Sequence, residues 1–372
     1  MSSFQLYEFQ TLDGVLSNND YAYLQSLSSR AELTATSARY TYSYSDYRAN
    51  PLDVLDRCFD ILLYQASYGV RQLAIRLPKA IASPSHYEPY CLPDLISLQT
   101  TEKSVLINIS IATQDYSCWL SEESRLAEIV DIREALLQGD LRVLYLAWLA
   151  SAYAEDCSFD RDKTLEPPIP PNLKKLSPAL EQFADIFEID LDLISAAATH
   201  SETVSAPSAE PIEDWIAELS EAERNHYLLR VAQGERNIGI ELIQKLREQF
   251  GQQPSMPTSQ TGSRTFAELE ATAQQKSNEQ IIKAKAEAEK IEQQRIESLI
   301  PQVDKLWQLI RHLIERGQAK TYDEAVAHLV DLQAITTLQN NSTTFQKRVN
   351  EIAEEFSRKR SLISKLKRAN LL

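Results

Sequence analysis

From Phe266 to Arg295 the chain runs without a Gly or a Pro, mostly in Ala, Glu, Gln and Lys. These are strong helix formers, and the residues that interrupt helices are missing. A long unbroken helix is therefore the structure this stretch is built for. Opposite charges at helical spacing support it, as where Glu279 precedes Lys283 by one turn. What it lacks is an apolar seam. Positions 281, 284, 288, 291, 295 and 298 read Ile, Ala, Ala, Ile, Arg and Ser, whereas a coiled coil sustains its seam for several heptads. The expectation is a solvated polar spacer helix over 265–300, its Phe266–Arg295 stretch spanning about 45 Å at the helical rise per residue. A self-associating coiled coil is the alternative.

The character changes at Ile296. Ile296, Leu299, Val303, Leu306, Ile310 and Leu313 follow a 3-4-3-4-3 spacing, with Trp307 and Ile314 beside them. Such a face must bury against something. Pro301 suits the first turn of a new helix and disrupts the middle of an old one, which predicts a kink or break near residues 298–301. Beyond it, Thr321 to Glu324 has the form of a capping box and starts a helix with Ala325, Val326, Leu329 and Leu332 on one side. A further helix carries Phe345, Val349, Ile352 and Phe356 at 4-3-4 spacing. Residues 301–372 thus read as a helical module, and it ends on a basic segment.

Charge is distributed unevenly along the 372 residues: residues 1–263 carry a net −18 and residues 264–372 a net +3. The acidic part should repel phosphate backbones, and only the tail could attract them. Cysteines at 58, 91, 118 and 157 fit no zinc or redox spacing and are expected to fill the core. The opening MSSFQLYEFQ reads as no signal peptide, and no apolar run is long enough for a membrane span. A cytoplasmic location is the expectation.

Taken in order, Phe4 to Leu12 predicts a strand, and Asn18 or Asn19 opens a short helix ending near Ser28. Ala31 to Tyr44 predicts a strand or longer ribbon. Pro51 predicts the start of a helix continuing to Gly69, which would occupy its C′ position. A strand from Gln72 to Leu77 and a hairpin of Leu95–Gln99 with Val105–Ala112 follow. Helices are expected over Glu122–Gln138 and Asp140–Ala154, the second apolar on nearly every side. Strands mixed with helices, without a regular βα repeat, make residues 1–156 an α+β domain. Residues 157–176 hold the run Glu166-Pro-Pro-Ile-Pro-Pro171 and form a Pro-rich connector. Residues 177–251 are a small helical domain, with Trp215, Leu219, Tyr227, Leu228, Leu229 and Val231 as its core, and 252–264 are a flexible linker.

Two resemblances add to this. Tyr7-Glu-Phe-Gln10, Leu27 to Ala31 with Thr34 and Thr36, Phe59 to Tyr64, Gly69, Arg71 to Pro78, Gly139 through Trp148 and the Glu166-Pro-Pro connector resemble an uncharacterised bacterial protein family. That family has no assigned activity, so the likeness implies a fold and no chemistry. Tyr322 to Val326 through Phe345, and Arg358 to Leu362, are similar to a helical region of some SWIM zinc finger proteins. The Cys-x-Cys and Cys-x-His zinc motif of those proteins is missing here, so zinc binding is not implied.

No catalytic, cofactor-binding or metal-ligating set emerges. There is no Gly-x-Ser-x-Gly elbow, phosphate-binding glycine loop or His-Glu-x-x-His. Two candidate surfaces remain. Tyr40, Tyr42 and Tyr44 share one face of a predicted strand, either as packing beneath a helix or as an aromatic interaction surface. Arg358, Lys359, Arg360, Lys365, Lys367 and Arg368 make the chain's end basic. They would favour a helix C-terminus or contact nucleic acid, an anionic surface or an acidic partner. Arg57, Arg71 and Arg76 could form an anion site or a solvated face. The reading is a non-enzymatic interaction or scaffold protein with a protein partner, and homo-oligomerisation is open. The alternatives are a nucleic-acid-associated factor using the basic end, or an enzyme with an unrecognised site in the first domain.

Overall fold

The aromatic and β-branched runs of the first hundred or so residues become the strands of one antiparallel sheet. They are β1 (Phe4–Gln10), β2 (Ala31–Leu33), β3 (Ser37–Ser43), β4 (Ile61–Ala66), β5 (Val70–Pro78), β6 (Ile96–Thr100) and β7 (Ser104–Ala112). Their order across the sheet is β2-β3-β1-β4-β5-β7-β6. This is a computed structural model, and it describes residues 4–43, 45–113, 124–154, 160–204, 211–235, 238–251, 262, 264–339 and 341–372. The chain divides into two compact units, Met1–Ser277 and Asn278–Leu372. The fold is an α+β body followed by helices, a long helix and a C-terminal helical module, as the sequence predicts.

Helices cover both faces of the sheet. On one side α1 (Asn18–Leu27) and α2 (Pro51–Cys58) pack on Tyr7, Phe9, Tyr40, Leu62 and Tyr64. On the other, α3 (Asp131–Leu137), α4 (Arg142–Ser151), α5 (Pro178–Ile186) and α6 (Leu191–Ala197) pack on Leu63, Leu73, Ile75, Ile107 and Ile109. Every residue of α4 after Arg142 is buried, which accounts for its all-round apolar sequence. Leu173 of the Pro-rich stretch and the inner faces of α5 and α6 belong to the same core as the sheet.

Double coverage also explains the main departure from expectation. The helix beginning at Pro51 ends at Cys58, and Ile61–Ala66 is a strand with all six residues buried. A strand buried on both faces is a continuous apolar run, and periodicity alone cannot separate it from a buried helix. Gly69 accordingly sits in the β4–β5 turn. It has φ +88°, and a Cβ there would lie 2.3 Å from the Thr113 carbonyl oxygen. The ribbon expected from 31 to 44 is split into β2 and β3. The helix expected from Glu122 is shorter: a single 3₁₀ turn at Leu126–Glu128 precedes α3, and residues 114–123 lie outside the described ones.

A buried ionic knot ties α3 to the sheet. Asp60, fully buried, accepts from the Leu12 N–H (2.7 Å), the Asp13 N–H (3.1 Å), the Thr11 hydroxyl (3.2 Å) and Arg76 Nη2 (2.6 Å). Arg133 lies 3.5 Å away and donates in turn to Asp13. Burial would raise the Asp60 carboxyl's pKa. The Arg133 and Arg76 charges and the two backbone N–H groups outweigh it and hold the pKa below the usual carboxylate range.

The remaining helices of the first unit are α7 (Ile212–Glu218), α8 (Glu221–Ala232) and α9 (Ile238–Phe250). Here the expected core is only partly formed. Leu219 and Tyr227 are buried, but Leu228, Leu229 and Val231 are exposed. α10 (Phe266–Leu299) runs past the division at Ser277. One 3₁₀ turn, Ile300–Gln302, then marks the break predicted at Pro301.

In the second unit, α11 (Val303–Arg316), α12 (Ala319–Leu338), α13 (Ser342–Glu355) and α14 (Arg360–Arg368) enclose their own core. It contains Ile310, Leu313, Leu329, Leu332, Phe345, Val349 and Ile352, as expected, together with Leu362 and Leu366. The capping box is displaced by one turn. Gln318 is the N-cap of α12 and Thr321 occupies N3, so Thr321 accepts from the Gln318 N–H at 3.3 Å.

Candidate functional site

α10 is the element that the sequence singles out, and its first turns are rooted in the first unit. Thr265 and Glu268 cap it reciprocally: the Thr265 N–H donates to Glu268 Oε2 (2.9 Å) and the Glu268 N–H to Thr265 Oγ1 (3.3 Å). Phe266, Leu269 and Ala273, at helical spacing on one face, are buried in the sheet's core. The Phe266 ring meets that of Trp148 edge-on at 5.6 Å.

Beside this apolar root lies a polar lock. Glu166, 1% exposed, receives both arms of the Arg264 guanidinium, Nε at 2.9 Å and Nη2 at 2.7 Å, and also the Tyr145 hydroxyl. Burial first, then the Glu166 charge, pushes the Tyr145 phenol far above its ordinary pKa, so it stays protonated as a donor. Backbone bonds align the two segments: the Glu166 N–H donates to the Arg264 carbonyl (2.9 Å) and the Gly262 N–H to the Glu166 carbonyl (2.8 Å). Gly262 is required there, because a Cβ would fall 2.5 Å from that of Glu166. The flexible linker expected at 252–264 lies otherwise outside the described residues, except for Arg264. Thr265-Phe-Ala-Glu268 is a capping-box pattern, a local signal that the sequence reading missed. The Glu166–Arg264 pair, 98 positions apart, has no local signal.

Past the root, every residue from 278 to 295 is exposed, including Ile281, Ile282 and Ile291. At Ile296 the helix becomes apolar again and joins the core of the second unit.

The basic end divides into two groups. Lys359 Nζ donates to the Ile314 carbonyl (2.5 Å) at the C-terminus of α11 and lies 5.7 Å from the Tyr322 ring. Lys365 pairs with Asp323 at the start of α12. These two lysines secure the module, the first by neutralising a helix C-terminus. Arg358, Arg360, Lys367 and Arg368 are exposed and have no carboxylate partner among the described residues. Leu362 and Leu366 are buried, so the apolar side of α14 is used within the module.

Tyr40 and Tyr42 present no aromatic surface. Tyr40 is fully buried, its hydroxyl donates to the Leu24 carbonyl (3.3 Å), and burial pushes its pKa up to about 12. Tyr42 lies edge-on to Tyr7 at 6.2 Å. Tyr44 lies outside the described residues. The three arginines considered as an anion site are each matched to a carboxylate of their own: Arg71 to Glu188, Arg76 to Asp60 and Arg57 to Asp20.

A cleft of about 930 Å³ opens between α5, α6 and the early turns of α10. Its floor includes Leu176, Ile189 and Ile194, and Lys174, Lys175 and Lys276 stand at its edge. Lys276 Nζ is held by the Ser195 carbonyl at 3.0 Å. Among the described residues, no helix is long and apolar enough to cross a membrane. No family model, no curated protein and no solved structure matches this chain.

Proposed function

We propose that this chain is a non-enzymatic interaction or scaffold protein in which an acidic α+β body and a helical docking module are joined by one spacer helix. The observation that carries this reading is α10 itself. Its first turns are locked into one core by Phe266, Leu269 and the Arg264–Glu166 pair, its end enters another through Ile296, and residues 278–295 between them are all exposed, Arg295 at their end reaching Asp331. A helix so anchored at its start resists fraying there, and a solvated middle of eighteen residues is a connector and not a packing element. The mechanism is bivalent presentation: a partner held by one unit raises the effective concentration of whatever the other binds. The bacterial family and SWIM-associated resemblances are compatible with this reading and add no chemistry to it.

The exposed Arg358, Arg360, Lys367 and Arg368 favour a second reading, a nucleic-acid accessory factor acting through the basic end. A pull-down separates the two. Full-length protein and a 1–277 truncation would be compared, with captured proteins identified by mass spectrometry and nucleic acid by absorbance ratio before and after nuclease. The scaffold reading expects a specific protein retained only by the full chain. Nuclease-sensitive, salt-sensitive material lost on deleting residues 358–372 would replace it with the second reading. Failure of both the full chain and the truncation to retain anything would count against both readings.

A further inference from the structure

We draw no further inference here: the strongest candidate, the apolar cleft between α5, α6 and the first turns of α10, is lined by Lys174, Lys175 and Lys276 and by as many carboxylates, Glu181, Asp185 and Glu188, so its charge selects no occupant and nothing in the structure shows what covers it.

Discussion

Replacing Glu166 by Ala tests whether the polar lock roots α10. The carboxylate is 1% exposed and the Arg264 side chain 14% exposed, so the pair is well shielded and its partners cannot simply rehydrate. The substitution removes the acceptor of two Arg264 bonds and of the Tyr145 hydroxyl. Hydrogen bonds to a charged group contribute about 1.5–3 kcal/mol each, but they act as a unit, and breaking one partner of a buried ion pair costs about 3–5 kcal/mol. Residual access of water to Arg264 favours the lower end, about 3 kcal/mol. With a urea m-value of about 3 kcal/mol/M, the midpoint for the first unit should fall by about 1 M. Tryptophan fluorescence can follow it, since Trp148 lies against Phe266. Glu166→Gln keeps the shape and one acceptor and should fall between Ala and wild type. Hydrogen exchange over α11–α14 should be unchanged, because those helices have a core of their own. A loss below about 1 kcal/mol, or one that spreads equally to α11–α14, would refute the reasoning.

Three further outcomes are expected. Asp60 has its pKa depressed in the folded chain, so the stability it contributes is present above the unfolded pKa, about 3.9, and is lost as pH falls through the lower folded value. Urea midpoints between pH 6 and 2.5 should decline at the acid end in wild type, and less steeply in Asp60→Asn, which starts from a lower stability. Gly69→Ala combines a positive φ with a 2.3 Å approach to the Thr113 carbonyl and should cost about 2 kcal/mol or more by thermal or urea unfolding; a neutral result would contradict the turn geometry. The Cys58 thiol, pushed up to about 12 chiefly by burial and then by the Asp20 charge, should resist iodoacetamide at pH 8 in the native chain and react once unfolded, as scored by mass spectrometry.

The helical half of the chain was the more legible. Ile296 to Leu313 and Phe345 to Ile352 have a period near 3.6 because each helix buries one face, and those residues do line the core. The β-sheet was legible at its margins, where β6 and β7 flank a polar turn, and ambiguous at its centre. Ile61–Ala66 has no period because both its faces are covered. The same limit applies to the candidate surfaces. Tyr40 and Tyr42 alternate correctly for a strand face, but alternation does not say which face is covered by α1 and α2. Leu228, Leu229 and Val231 were expected to pack, because composition cannot distinguish an apolar face with a partner from one without.

Local preference accounts for what could be read directly: helix-forming residues without Gly or Pro make α10, Pro301 breaks it, and Thr265 with Glu268 caps it. Those effects act within about one turn of the chain, and the order of residues encodes them. The pairing of Glu166 with Arg264, of Asp60 with Arg76 and Arg133, and the contact of Lys359 with the end of α11 join positions far apart. Such contacts depend on which surfaces meet after the sheet and helices have packed, and on how little water is left between them. Charge and apolarity are properties of a residue, but burial is a property of its surroundings, and burial determined which of these side chains became locks and which stayed exposed to partners.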